Sequence, residues 1–107
     1  MEGLWTIAFS TAFGANYGVV YFMPDGRFVG GDSVFYWTGT TSSREGQILA
    51  KLSARSHSGR PAMTVLGTNV AEFSMELNGK LPESPAIGST FNITGPSGFV
   101  AVLTRRS

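Results

Sequence analysis

Met23-Pro24-Asp25-Gly26-Arg27-Phe28-Val29-Gly30-Gly31-Asp32-Ser33-Val34-Phe35-Tyr36-Trp37-Thr38-Gly39 sets a turn, a double glycine and an aromatic strand in direct succession. In Pro24-Asp25-Gly26, proline presets φ, aspartate bonds the backbone beyond it and glycine accepts φ > 0. The segment therefore closes a hairpin between the apolar runs on either side. Gly30-Gly31 interrupts a strand pattern, where missing Cβ atoms permit a bulge, a sharp bend or close backbone contact. The sheet is expected to turn a structural corner at Gly30, Gly31 and Asp32, with the Asp32 carboxylate accepting backbone N–H bonds. Residues 34–38 leave that corner as strong β-formers.

Outward from this stretch the same grammar repeats. Residues 3–10 alternate Trp5, Ile7 and Phe9 against Leu4, Thr6 and Ala8, a first strand with its heavier face inward. Residues 11–16 read as a small flexible loop. Residues 17–23 are apolar on both faces, with Tyr17, Val19, Tyr21 and Met23 taken as inward and Val20 and Phe22 as outward. Residues 40–46 form a polar turn. Residues 47–57 alternate cleanly, and residues 70–78 set Ala71, Phe73, Met75 and Leu77 against Glu72, Ser74, Glu76 and Asn78 before Asn78-Gly79 ends the strand. Between these two strands, residues 62–66 are expected to pack one apolar turn on the barrel. Residues 80–89, with Pro82 and Pro85, make a stiff connector to the last strands, 90–94 and 99–104. Eight strands with short links favour antiparallel meander pairing, and closure removes both edges. The fold class is all-β: a single domain, residues 1–107, forming an eight-stranded antiparallel up-and-down barrel, lipocalin-like. Lys51 should face Glu76 and Arg55 face Glu72, since one register satisfies both pairs.

At 107 residues one core can bury roughly 60–70% of the unfolded surface without disulfides or a metal. Fourteen glycines and 12% aromatic against 14% charged residues suit tight turns and aromatic strand faces. The absence of cysteine excludes thiolate nucleophiles and Cys-based metal sites and fits a reducing compartment, so a cytoplasmic location is expected. Met1-Glu2-Gly3 lacks a basic leader and no apolar run approaches ~18 residues, so neither export nor membrane insertion is signalled. A net charge of +1 supplies no broad field for nucleic acid.

Chemistry-bearing motifs do not converge. Gly31-Asp32-Ser33-Val34 superficially matches the nucleophile block of GDSL hydrolases, yet the position three before His57, where their orienting Asp would stand, is Ala54. One histidine rules out two-His metal motifs. Glu72 and Glu76 share the solvated face, where a charge ladder with Lys51 and Arg55 explains them better than a glycosidase pair. Asn92-Ile93-Thr94 matches a glycosylation sequon by chance, and the glycine pairs lack the Lys-Ser/Thr of a phosphate loop. No enzyme, metal or cofactor is expected.

Leu4-Trp5-Thr6-Ile7-Ala8-Phe9, Gly18-Val19-Val20, Asp25-Gly26-Arg27, Gly30-Gly31-Asp32-Ser33, Phe35-Tyr36-Trp37 before Gly39, and Leu103-Thr104-Arg105 together resemble the GrlR family. These small bacterial proteins are named for a negative regulator of type III secretion gene expression. The resemblance runs nearly end to end, and its specific part is residues 25–39. It implies a lipocalin-like barrel, a homodimer, and regulation by binding a transcriptional activator rather than DNA. Enteropathogen members carry an acidic partner-binding run after the aromatic strand; here the chain has Ser42-Ser43-Arg44-Glu45-Gly46.

The expected function is thus a non-enzymatic regulator acting through protein contacts. The homodimer interface is placed on Val20, Phe22, Val34, Tyr36, Val100 and Val102, because a closed barrel has one interior and cannot bury both apolar faces of a strand. The alternative is a carrier or sensor holding a small apolar ligand inside the barrel. Trp5, Phe9, Phe73, Met75, Phe91 and Phe99, all bulky and inward, favour a filled interior.

Overall fold

In the computed structural model, which describes residues 1–83 and 86–107, the chain forms ten strands. They are β1 (Gly3–Thr11), β2 (Gly14–Phe22), β3 (Arg27–Gly31), β4 (Phe35–Arg44), β5 (Gln47–Ser56), β6 (Ala62–Met63), β7 (Asn69–Val70), β8 (Glu72–Lys80), β9 (Thr90–Thr94) and β10 (Val100–Arg105). Eight of them close an antiparallel barrel in the order β1-β10-β9-β8-β5-β4-β3-β2, and β6 with β7 makes a separate two-stranded flap. This is the lipocalin-like up-and-down form expected from the alternation. Pro85 of the expected connector lies outside the described residues.

Several boundaries differ from the sequence reading, each because pairing outruns local polarity. The presumed loop at 11–16 shrinks to Ala12-Phe13, since β1 and β2 stay paired as far as Thr11↔Gly14. The polar residues 40–44 remain in β4, and the link to β5 is only Glu45-Gly46, both at positive φ (54° and 77°). Such a two-residue turn matches the twist of its flanking strands. Asn78-Gly79 does not end its strand, because both residues pair across to β9. Residues 62–66 supply β6 and the partly buried Val65 and Leu66, which pack on the core.

The charge ladder takes the expected register, Lys51↔Glu76 and Arg55↔Glu72, with Ser53↔Ser74 between. Arg55 Nε lies 3.6 Å from Glu72, with both side chains exposed. An exposed pair of this kind contributes only ~0.2–1 kcal/mol, so it selects register more than it stabilises.

The double glycine is not a bulge. Gly30 and Gly31 are the last residues of β3, in register with Val20 and Val19 on one side and Trp37 and Tyr36 on the other. Neither has positive φ. What they permit is close approach: a Cβ on Gly30 would stand 2.6 Å from the Trp37 indole nitrogen and overlap the Val19 carbonyl oxygen. A Cβ on Gly18 would lie 2.8 Å from Trp37 Cη2. The indole thus occupies the space that two glycines vacate. The bend itself falls on Asp32-Ser33-Val34, where the Asp32 N–H donates to the Phe35 carbonyl.

Trp5 is fully buried, with edge contacts to Phe22 and Phe91 at centroid separations of 6.3 and 5.2 Å. Phe9 stacks on Phe99 at 5.8 Å and meets Trp37 edge-on. Phe73 and Met75 also face inward, against Phe35 and the core, but stay only partly buried.

Candidate functional site

β2 turns the opposite face to the core from the one expected. Val20 and Phe22 are core residues, 4% and 7% exposed, so they belong to no interface. Tyr17, Val19 and Tyr21 point outward instead. Register explains the inversion: Val20 sits opposite Trp5, and Phe22 opposite Phe28, both inward. A buried tyrosine hydroxyl needs a polar partner and an apolar core offers none, so Tyr17 and Tyr21 take the solvent side.

With β2 reoriented, exposed apolar side chains run across five adjacent strands. β10 contributes Val100 and Val102, β1 Leu4, β2 Tyr17, Val19 and Tyr21, β3 Val29, and β4 Tyr36. Their rows follow the pairing. Val102, Ala8 and Tyr17 lie side by side, as do Leu4, Tyr21 and Val29, and Gly31 alone separates Val19 from Tyr36. Exposure reaches 78% at Tyr17 and 50% at Val100. A groove of about 560 Å³ runs along this wall between Tyr17 on β2 and Thr94 on β9. Val34 is exposed too, but lies at the barrel rim beside one mouth rather than on this wall. The opposite wall, β5 and β8, carries the outward Lys51, Arg55, Glu72 and Glu76.

Asp32 is the polar anchor of the corner. Its Oδ1 accepts the N–H groups of Val34 and Phe35, each at 2.8 Å, and its Oδ2 lies 3.4 Å from Asn16 Nδ2. His57 Nε2 stands 2.9 Å from the Asp32 carbonyl. A carbonyl only accepts, so Nε2 carries the hydrogen, and the ring is held against Tyr36 at 5.7 Å. Both groups are thereby committed to the main chain. Ser33 is exposed, and among the described residues no hydrogen bond joins it to His57. Away from this corner, the Arg27 backbone N–H, aided by its guanidinium, lowers the Asp25 carboxyl below its ordinary value.

The interior is largely filled. A void of about 30 Å³ remains near the barrel centre and one of about 70 Å³ at the mouth beneath the flap, lined by Phe73, Met75, Phe99 and Val65 among others. The flap is held down by Thr11 Oγ1, which donates to the Val65 carbonyl, and by Phe13 lying over Gly67. Among the described residues no three His, Asp or Glu side chains gather as a metal site, and no helix is long and apolar enough to cross a membrane.

No model of a known protein family matches the chain, and no curated protein sequence matches it.

Proposed function

We propose that this is a non-enzymatic regulatory protein of GrlR type, a cytoplasmic homodimer that acts by binding another protein such as a transcriptional activator. The reading rests on the division of the barrel wall: exposed Val, Leu and Tyr side chains on β10, β1, β2, β3 and the start of β4, against outward Lys51, Arg55, Glu72 and Glu76 on β5 and β8. Apolar side chains that neighbour one another across adjacent strands mark interaction surfaces, and this set has the Tyr-rich character of interface centres. Polar groups on the opposite wall keep that side solvated, so the asymmetry suits apolar docking through the face that carries Tyr17, Val19 and Val102.

The acidic run of the enteropathogen members has no counterpart at the Glu45-Gly46 turn, so partner binding falls to the apolar wall. A carrier role is less well supported. Voids of about 30 and 70 Å³ lie well below the ~150 Å³ apolar cavity that accommodates benzene.

The test is a reporter driven by a type III secretion activator in a bacterial host. Expression of the wild-type chain should lower its output, and Val19→Glu, placed on the apolar wall, should relieve that effect at equal protein level. Repression that survives Val19→Glu, or no repression by the wild type, would contradict the reading.

A further inference from the structure

The barrel is closed by unequal seams. β4 and β5 share ten residue pairs and β1 and β2 share nine, whereas β8 and β9 share two, Asn78↔Thr94 and Gly79↔Ile93. Prolines set both limits. Continuing that register would bring Pro96 opposite Glu76 and Pro82 opposite Thr90, and neither proline has an N–H to give. The chain leaves the ladder in the short turn Pro96–Gly98, which still neighbours β8, and residues 72–75 of β8 have no strand on that side.

The main-chain groups there point into the gap. The Ala71 carbonyl accepts from Ser56 N, and Leu81 N donates to the Gly46 carbonyl, so odd-numbered positions of β8 turn their polar groups toward β5. Even-numbered positions turn away, as the approach of Thr94 Oγ1 to the Asn78 carbonyl also indicates. Glu72 and Ser74 therefore present N–H and C=O to the open edge. Phe73 and Met75 face inward from the same edge, only partly buried, and border the void of about 70 Å³.

We propose that this edge receives, by strand addition, an extended segment of a partner protein in which basic and apolar residues alternate. Backbone pairing with an exposed strand supplies affinity, and alternate side chains supply specificity. Apolar residues of the added strand point with Phe73 and Met75 into the mouth. Its basic residues point outward between Glu72, which Arg55 approaches at 3.6 Å, and Glu76, which faces Lys51 but among the described residues forms no ion pair. A second copy of this chain does not fit. Two such edges meeting antiparallel about Ser74 would set Glu72 of one copy directly opposite Glu76 of the other, and like charges across a pair repel. The site is separate from the apolar wall and does not depend on it.

The probe is the blocked hexapeptide acetyl-Lys-Val-Lys-Val-Lys-Val-amide, titrated into ¹⁵N-labelled protein, with the Glu-Val analogue as control. Saturable shifts at the amides of residues 72–75 are expected, with no response to the Glu-Val peptide. Ser74→Pro removes an edge donor without taking a bond from the β5 ladder, and should weaken binding by about tenfold or more. Glu72→Lys with Glu76→Lys, both exposed, should do the same and carries the test if Ser74→Pro fails to fold. No saturable shift at millimolar peptide, equal binding of the Glu-Val peptide, shifts confined to the apolar wall, or full affinity in the double charge variant would each overturn the proposal. Val102→Glu protein should still bind the peptide, which separates this site from the proposed dimer.

Discussion

Gly30→Ala adds a single carbon where the barrel has no room for it. That carbon would sit 2.6 Å from the Trp37 indole nitrogen, roughly 1 Å inside ordinary contact distance. Trp37 has no easy retreat, since Phe9 meets it edge-on at 6.0 Å and the indole already fills the space above Gly18. The Val19 carbonyl would have to shift as well, straining the pairing of β2 with β3. Overpacking of this kind costs about 1–3 kcal/mol. Loss of glycine freedom in the unfolded chain returns about 0.4–1 kcal/mol, leaving a net loss near 1–2 kcal/mol. For a domain of this size that lowers Tm by roughly 5–15 °C. Thermal unfolding followed by circular dichroism reads it directly. Gly14→Ala is the control, because a Cβ there meets nothing within 4 Å and φ is not positive, so Tm should hold or rise. A Gly30→Ala protein that melts with the wild type would show that close approach of the indole does not require glycine.

Further perturbations test register, turn and charge. A double-mutant cycle on Arg55 and Glu72, paired at 3.6 Å, should give a coupling of about 0.2–1 kcal/mol in urea unfolding, and a zero coupling in low salt would reject the ladder's role. Glu45 adopts φ 54° in a turn that favours Asn or Gly, so Glu45→Asn should stabilise by about 0.5–1 kcal/mol; a lower urea midpoint would contradict the strain. The Asp25 carboxyl is held below its ordinary value by the Arg27 N–H and guanidinium. Its folded pKa is depressed, so its contribution is present above the unfolded value near pH 4 and lost as pH falls below it. Asp25→Asn should therefore flatten the stability profile in acid, and an unchanged acid slope would count against the assignment.

Period-two alternation made the barrel legible because each strand has one buried face, and a slip by one residue would expose it. The same rule fixed the register of β5 against β8, where Lys51, Arg55, Glu72 and Glu76 left one consistent pairing. It failed on β2, where both faces are apolar and bulk is a poor guide. Asn16 and Gly18 on the inward side could have signalled the true phase, since the small residue marks where Trp37 lies. Val100, Val102 and Tyr36 therefore point outward as the pattern suggests, whereas Val20 and Phe22 lie in the core. The β8 seam was written in Pro82 and Pro96, whose meaning depends on a register that only the folded barrel supplies.

On the proposed function, the wall formed by Val100, Val102, Tyr17, Val19, Tyr21 and Tyr36 is an association surface. Light scattering coupled to size exclusion, run on the wild type and on Val102→Glu, tests it most directly. The expected result is a dimer mass at micromolar concentration for the wild type and a folded monomer for Val102→Glu. A wild-type protein that remains monomeric at high micromolar concentration would contradict it.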